Sequence, residues 1–238
     1  MPRDTLWTTI AAALRDDIAQ GAYAPGDRLP TEAALSARFG VNRHTVRRAL
    51  ADLAGTGTVQ PRRGAGVFVT ARPADYPLGR RVRFHQNIAD TGRTPSRRFT
   101  RLETRPARPD EAEGLGLTPA APVHVVEGVS LADDVPLAVF RSVFPAARFP
   151  GLLAALDGQS SVTAALAACG LTDYTRQESR LTAKAADPVL ALALQVSPGA
   201  PVLRSVAVNV DATGRPVEHG TTWFAGDRVT VTVRADQA

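Results

Sequence analysis

Apolar and polar residues alternate with the period of an α-helix in three successive segments of the first quarter of the chain. The spacing predicts one helix over residues 5–20, ended by Gly21, and a second helix that Thr31 caps and Gly40 ends. A third helix is predicted directly after the N-cap residue Asn42. The apolar positions that define the three inner faces are Trp7, Ile10, Ala11, Leu14 and Ile18, then Leu35 and Phe39, then Val46, Ala49, Leu50 and Leu53.

A β-hairpin is predicted after the third helix. Residues 58–60 and 67–69 form short β-segments on either side of a basic tip that contains glycine. Three helices followed by such a hairpin predict a winged helix-turn-helix domain over residues 1–70. Residues 71–76, which include Pro73, are predicted to be a linker.

The remaining residues, 77–238, are dominated by β-rich runs with shorter helical patches between them. Short turns at Asp133-Asp134 and at residues 212–215 separate neighbouring runs, which is typical of antiparallel strands. We therefore predict an α+β domain over residues 77–238. The predicted strands span residues 97–104, 123–131, 137–144, 177–184, 202–210, 217–224 and 229–233, and the predicted helices span residues 149–156, 162–168 and 188–196.

Charge is distributed unevenly along the 238 residues. The net charge of +5 divides into +9 for residues 1–110 and −4 for the remainder. A basic first half favours a polyanionic partner for that half alone. The contents of 44% hydrophobic and 21% charged residues exclude a disordered or collagen-like chain.

Cysteine content and hydropathy indicate the cellular compartment in which the protein is expected. The single cysteine, Cys169, cannot form an intramolecular disulfide, which favours a reducing environment. No apolar run approaches the roughly 20 residues that a membrane-spanning helix needs. We therefore expect a cytoplasmic protein that does not cross a membrane.

The third predicted helix carries four basic residues opposite its apolar stripe, namely Arg43, His44, Arg47 and Arg48. At about 100° per residue, these side chains share one outward face. Arginine on a helix in the major groove can donate two parallel hydrogen bonds to guanine O6 and N7, and Arg43 and Arg47 lie suitably near the helix start. A solvated basic face is the alternative, but it does not account for the adjoining turn and hairpin.

The tip of the predicted hairpin supplies a second candidate contact with DNA. Glycine allows the backbone to approach a duplex, and arginine favours the negative potential of a narrow minor groove. We expect phosphate or minor-groove contact from four tip residues: Arg62, Arg63, Gly64 and Gly66. An ordinary hairpin turn is the alternative.

The first domain resembles the GntR family of regulators over nearly its whole length. The stretches that carry the resemblance are Gly21 with Tyr23, residues 25–32 (PGDRLPTE), residues 39–43 (FGVNR), residues 45–50 (TVRRAL) and residues 64–69 (GAGVFV). Ala33 departs from an arginine that some branches of the family use as a base contact. The resemblance implies DNA contacts by Arg43, His44, Thr45, Arg47 and Gly64, with Arg28 and Thr31 near phosphates.

The second domain resembles the UTRA effector domain of the HutC branch of that family. The resemblance is carried by Arg83-Phe84, Gly92, Pro95, residues 131–136, residues 181–183, residues 216–218 and Asp227-Arg228. It implies a homodimer whose effector domain has the chorismate-lyase-like fold without enzymatic activity. Residues 41–45, and residues 75–78 leading to residues 83–87, are similar to the regulators of phosphonate metabolism within this branch.

The effector implied by that similarity is a small anion, such as a phosphonate, a phosphate or a phosphate ester. Such a ligand needs charge-assisted donors, and the second domain begins with Arg83, His85, Gln86 and Asn87. Related sugar-phosphate sensors carry paired arginines at the positions of Gly128 and Ser130. In those sensors the ligand lies at positions that correspond here to Arg83, Phe84, Ser161, Arg176, Glu218 and Phe224. The alternatives are ordinary sheet-surface arginines for Arg83 and Arg176 and a salt-bridge partner for Glu218.

Catalytic and metal-binding patterns are not found in the sequence. The four histidines lack a metal-ligand spacing, and Cys169 lies in an apolar context typical of an inert thiol. We predict a DNA-binding transcriptional repressor without a cofactor, whose affinity for a double-stranded operator is controlled by the effector. The alternative is a lyase-like enzyme that acts on an aromatic acid and carries an attached DNA-binding domain.

Overall fold

Helices and a hairpin form the first unit of the fold, as predicted. The computed structural model describes residues 5–62, 64–70, 73–158 and 161–233, which divide into one unit made mainly of residues up to 72 and another made mainly of residues from 73 onward. The described residues of the first unit form α1 (Leu6–Ala19), α2 (Glu32–Phe39), α3 (Arg43–Gly55), β1 (Val59–Arg62) and β2 (Gly66–Val69).

Local capping determines the turn between α2 and α3. The Thr31 hydroxyl accepts a hydrogen bond from the Ala34 N–H at 3.2 Å, and the Asn42 side chain accepts one from the Thr45 N–H at 2.9 Å. Gly40 follows α2 with a left-handed φ of 63°, which glycine adopts without steric cost. The inner faces pack in one core that includes Ile10, Leu14, Leu35, Val46, Ala49, Leu50, Leu53, Val59 and Val69.

An antiparallel sheet is the centre of the second unit. Its described strands are β4 (Pro95–Pro106), β5 (Pro122–Ala132), β6 (Val135–Pro145), β7 (Thr175–Ala185), β8 (Pro201–Val210) and β9 (Pro216–Ala225). In space the order is β4-β5-β6-β9-β8-β7, so β9 pairs with both β6 and β8. The predicted α+β class is therefore confirmed.

The structure differs from the predicted linker at residues 74–76. There, β3 (Ala74–Pro77) pairs in parallel with β10 (Val229–Thr232), and the buried Tyr76 ring contacts the rings of Phe84 and Phe224. The linker prediction rested on local composition, whereas the partner strand comes from the far end of the sequence. Residues 71 and 72 of that linker lie outside the described residues.

Short helices cover the sheet. The described ones are α4 (Phe84–Ala89), α5 (Pro109–Leu115), α6 (Leu152–Ala155), α7 (Val162–Ala168) and α8 (Pro188–Leu194). Sequence periodicity predicted the last three and missed α4 and α5. Helix α4 packs with Phe224 of β9, and helices α6 and α7 pack with Phe140 of β6. These helices leave a cavity between themselves and the sheet.

Candidate functional site

The predicted outward face of α3 is solvent-exposed. Arg43, His44, Arg47 and Arg48 are all exposed, whereas the apolar stripe opposite them is buried. Arg43 forms no ion pair with any residue that the structure describes. The helix therefore presents donor-rich side chains to a ligand, as DNA recognition in a groove requires.

A carboxylate on α2 holds one of these arginines. Arg47 Nε donates to Glu32 Oε1 at 3.1 Å, and Arg47 Nη2 donates to Glu32 Oε2 at 2.8 Å. These hydrogen bonds lower the pKa of the Glu32 carboxyl group and raise the pKa of Arg47. The sequence predicted an outward Arg47 but not this ion pair, because the two residues belong to different helices.

Two other predicted DNA contacts on α3 also have partners within the first unit. The Arg48 guanidinium lies over the Trp7 ring, 4.7 Å from its centroid. The Thr45 hydroxyl donates to Asn42 Oδ1 at 3.0 Å, beside the capping bond. Arg43 and His44, at the start of the helix, are therefore less constrained than Thr45 and Arg48.

The hairpin tip requires glycine. Gly64 and Gly66 have φ values of 73° and 113°, in the region that favours glycine. A Cβ atom at Gly66 would lie 2.8 Å from Arg28 Nε, so the Arg28 side chain sits against the tip. Thr31, the other residue expected near phosphates, accepts the capping hydrogen bond of α2.

Arg62 does not project into solvent from the hairpin tip. Its guanidinium lies 3.9 Å from the centroid of the Phe68 ring, and the residue is only 7% exposed. Stacking on the paired strand thus buries the Arg62 cation, which argues against the expected phosphate or minor-groove contact, and that contact stays a prediction. Arg63, the other tip arginine, lies outside the described residues.

The second unit contains a polar cavity of about 60 Å³ between α4, α7 and the sheet. A site that holds one water needs about 10 to 15 Å³ on this scale, so the cavity has room for a small ion. The polar side chains that line it are Arg97, Ser142, Thr163, Arg176, Asn209 and Glu218.

A hydrogen-bond chain fixes the far side of this cavity. Arg176 Nε donates to Asn209 Oδ1 at 2.8 Å, and Asn209 Nδ2 donates to Glu218 Oε2 at 2.6 Å. The Ser142 hydroxyl donates to Glu218 Oε1 at 2.5 Å. The carboxylate is thereby satisfied by two neutral donors and forms no ion pair with Arg176.

Polar residues of the cavity that were not predicted from the sequence include Arg97, Ser142, Thr163 and Asn209, and Arg97 is the charged one among them. Its guanidinium lies 4.6 Å from the Phe140 ring centroid and 5.2 Å from that of Phe84. Its Nε is buried without a hydrogen-bond partner among the described residues, and burial lowers the pKa of Arg97. Strand alternation places Arg97 on the same face of β4 as Phe99, whose ring packs on Phe140. The apolar Phe99 two residues away could therefore have indicated that Arg97 faces the interior.

Three of the predicted effector residues line the cavity, namely Phe84, Arg176 and Glu218. Another three lie beside it. The Arg83 guanidinium stacks 3.7 Å from the centroid of the cavity-lining Tyr174 ring, and Ser161 caps α7 by accepting the Ala164 N–H. Phe224 lies 5.0 Å from the Tyr76 ring, between centroids.

The remaining predicted effector residues belong to α4 and do not line the cavity. Gln86 is exposed and donates to Asp90 at 2.6 Å, and the buried Asn87 donates to the Pro77 carbonyl at 3.2 Å. His85 is half-buried, and burial together with the charge of Arg97 lowers its pKa. None of these three residues is among those that line the cavity, so direct contact of His85, Gln86 and Asn87 with the effector stays a prediction.

Gly128 leaves no room for a side chain. A Cβ atom there would lie 2.5 Å from the Arg98 carbonyl oxygen and 3.1 Å from the Phe140 ring. An arginine like the one expected here in the related sugar-phosphate sensors therefore does not fit at this position. Arg97 lies nearby, on the strand β4 that pairs with β5.

The described part of the chain offers neither a metal site nor a membrane-spanning helix. There, no cluster of three or more His, Cys, Asp or Glu side chains has the arrangement of a metal site. None of the described helices combines the length and apolar character needed to cross a bilayer. His124 bonds Thr104 and the Phe149 carbonyl, at 2.8 and 3.1 Å, so its role is structural.

Comparisons with known proteins match both units. The model of the gntR family of bacterial regulatory proteins matches residues 6–69, and the UTRA domain model matches residues 90–230. An HTH-type transcriptional regulator of Rhizobium meliloti is 40% identical over 225 residues, which cover 94% of this chain and 92% of that protein. The transcriptional regulator PhnF of Escherichia coli is 32% identical over 230 residues, which cover 96% and 95%.

A solved structure agrees with these sequence matches. The crystal structure of PhnF from Mycobacterium smegmatis has a TM-score of 0.65 and 27% identity to this chain, and the match covers 94% of this chain and 98% of that one. The resemblance found in the sequence is therefore confirmed. The chain belongs to the GntR family of bacterial transcriptional regulators, carries a UTRA domain, and is a DNA-binding regulator rather than an enzyme.

Proposed function

We propose that this regulator is a repressor that binds its operator as a homodimer and releases it when a small anion enters the cavity of the second unit. The anion is a phosphonate, a phosphate or a phosphate ester. The observation that carries the proposal is Arg97, a half-buried cation whose buried Nε has no hydrogen-bond partner among the described residues. A charge with a buried donor of this kind is stabilised by a bound ligand of opposite sign.

The composition of the cavity supports an anionic ligand. Two arginines, Arg97 and Arg176, face one carboxylate, Glu218, whose oxygens already accept hydrogen bonds from Ser142 and Asn209. The volume of about 60 Å³ suits a phosphate-sized group. The similarity to regulators of phosphonate metabolism points to the same chemistry.

Recognition of the operator is assigned to the start of α3. Arg43 and Arg47 read bases in the major groove, while Arg28 and the backbone at Gly64 contact phosphates. A homodimer presents two copies of α3 to half-sites that lie about one helical turn, roughly 34 Å, apart. The operator is therefore expected to be pseudo-palindromic.

Coupling between effector and operator requires differential affinity. An anion can shift the protein away from DNA only if it binds the arrangement without DNA more tightly. Operator binding must in turn weaken anion binding by the same factor. This reciprocity is a measurable consequence of the proposal.

The experiment begins by sequencing the duplexes that the purified full chain selects from a random pool. Fluorescence anisotropy then measures affinity for the selected operator with and without inorganic phosphate or methylphosphonate, and sedimentation counts chains per duplex. We expect two chains per operator and weaker binding with one of the anions. An anion that binds the protein yet leaves operator affinity unchanged would refute induction, and one chain per duplex would refute the dimer.

A further inference from the structure

We propose that Glu32 is a specificity-determining positioning residue, whose carboxylate holds Arg47 in the orientation that reads one base of the operator. The inference rests on the proposed function, in which α3 enters the major groove. Glu32 touches no base itself. It acts through the two hydrogen bonds that it accepts from Arg47.

The hydrogen bonds to Glu32 leave the Nη1 and Nη2 end of the Arg47 guanidinium available to a base. Glu32 accepts from Nε at 3.1 Å and from Nη2 at 2.8 Å, which are the two donors on one edge of the Arg47 fork. Arginine has five N–H groups in a plane, so two parallel donors remain at the Nη1 and Nη2 end. Those donors match guanine O6 and N7. One guanidinium can therefore bind the carboxylate and a base at the same time.

Glu32 is itself held firmly enough to act as a support. It is the first residue of α2, directly after the cap Thr31, whose hydroxyl accepts the Ala34 N–H at 3.2 Å. Thus the backbone of Glu32 is fixed at a helix start, where a carboxylate is also favourable for the helix dipole. The shorter Glu32 side chain, on this fixed backbone, therefore holds the long Arg47 side chain in one orientation.

The ion pair between Glu32 and Arg47 adds little to folding stability. The Arg47 and Glu32 side chains are 63% and 36% exposed, and such surface ion pairs contribute little to stability. A negative charge beside the DNA-contacting arginines also opposes the polyanion. A role in orientation accounts for both facts, since it improves selectivity at the expense of general affinity.

This role predicts two effects of opposite sign in Glu32→Gln. Removing the charge should raise affinity for an unrelated duplex, by about twofold, because repulsion of phosphate is relieved. Discrimination at the base pair that Arg47 reads should fall by about tenfold, because the arginine loses its fixed direction. Discrimination at other operator positions should not change.

The test measures binding of the full chain to the selected operator, to its single-base variants and to an unrelated duplex. Arg47→Ala first identifies the base pair that Arg47 reads, and Glu32→Gln in that background should have no further effect on discrimination. Asp52→Asn is the matched control, since Asp52 pairs with Arg15 at 2.6 Å at similar exposure in the same unit. It removes the same charge and should leave base discrimination intact.

The outcomes separate this inference from the function on which it rests. If Arg47→Ala leaves discrimination unchanged at every position, the assignment of base readout to Arg47 fails. If Arg47→Ala abolishes discrimination at one base pair and Glu32→Gln preserves it, only the role of Glu32 is refuted. Thermal unfolding checks that Glu32→Gln folds. If it does not fold, Glu32→Asp replaces it, because this variant keeps the charge on a shorter side chain. Glu32→Asp should lose discrimination at the same base pair, while its affinity for the unrelated duplex should not rise.

Discussion

Arg47 and Arg97 show how differently this chain places two cations. The Arg47 side chain is 63% exposed and forms two hydrogen bonds with a carboxylate on the neighbouring helix. Arg97 lies between two aromatic rings in a cavity, and its Nε has no hydrogen-bond partner within the described residues. The first arginine remains hydrated, and the second has already lost much of its water.

This difference implies two kinds of anion recognition. Salt screens charges at an exposed surface, so a helix such as α3 acquires specificity from hydrogen-bond geometry and affinity from many phosphate contacts. In a cavity the effective dielectric constant is lower, so a few charge-assisted bonds suffice for a small ligand. Operator binding should therefore depend steeply on salt, and effector binding should depend on one or two side chains.

Removing the half-buried cation Arg97 should have the largest effect. We expect Arg97→Ala to weaken binding of the effector anion by about 2 to 3 kcal/mol, because a charge-assisted hydrogen bond in a cavity is lost. Calorimetric titration of the full chain with inorganic phosphate or methylphosphonate measures this change. Arg98→Ala is the matched control, since Arg98 is the exposed neighbour on the same strand. Equal losses in the two variants would contradict an effector site at Arg97.

An exposed cation on α3 should have a smaller and more selective effect. We expect Arg43→Ala to weaken operator binding by about 1 to 3 kcal/mol and to relax the preference at one base pair. Arg48→Ala should weaken binding to all duplexes alike, because stacking on the Trp7 ring limits how far Arg48 can reach towards a base. Anisotropy titrations with single-base operator variants compare them. Equal losses of base selectivity in the two variants would contradict the assignment of base readout to Arg43 and of general affinity to Arg48.

The sequence predicted elements with a clear period and side chains with a single available direction. The face of α3 is an example, because Val46, Ala49 and Leu53 must be buried and Arg43 must then face solvent. The strands of the sheet were also predicted, since each long run of β-branched and apolar residues can be interpreted without its neighbours.

Features that depend on pairing between distant residues were not predicted. Arg62 was expected at the surface, but stacking on Phe68 of the paired strand buries it. Arg97 was overlooked because its cavity is completed by residues such as Phe140 and Glu218, which come from strands far along the chain. Local composition cannot show which of many arginines enters such a cavity.

The buried Arg62 offers a sharper test of exposure within the hairpin. We expect Arg62→Ala to lower the free energy of unfolding by about 1 kcal/mol, because a stacked cation and its packing are lost. The slope of log affinity against log salt should not change. The exposed Arg28 beside the tip should behave oppositely, with Arg28→Ala reducing that slope by about 1 and leaving stability unchanged. Chemical denaturation and salt titrations of both variants test whether the buried Arg62 stabilises the fold while the exposed Arg28 contacts phosphate.

The smallest expected effect is a change in the pKa of His85. Burial and the positive charge of Arg97 hold this pKa below its ordinary value. An anion bound at Arg97 cancels part of that charge, so the pKa of His85 should rise when the cavity is filled. Binding then takes up protons, and affinity should increase as the pH falls through the range between the bound and the free pKa. Sulfate is the suitable probe, because its own charge is constant there, and NMR of the imidazole reports the pKa. The shift should vanish in Arg97→Ala. A shift that persists in this variant would place the anion elsewhere and contradict the proposal that Arg97 binds it.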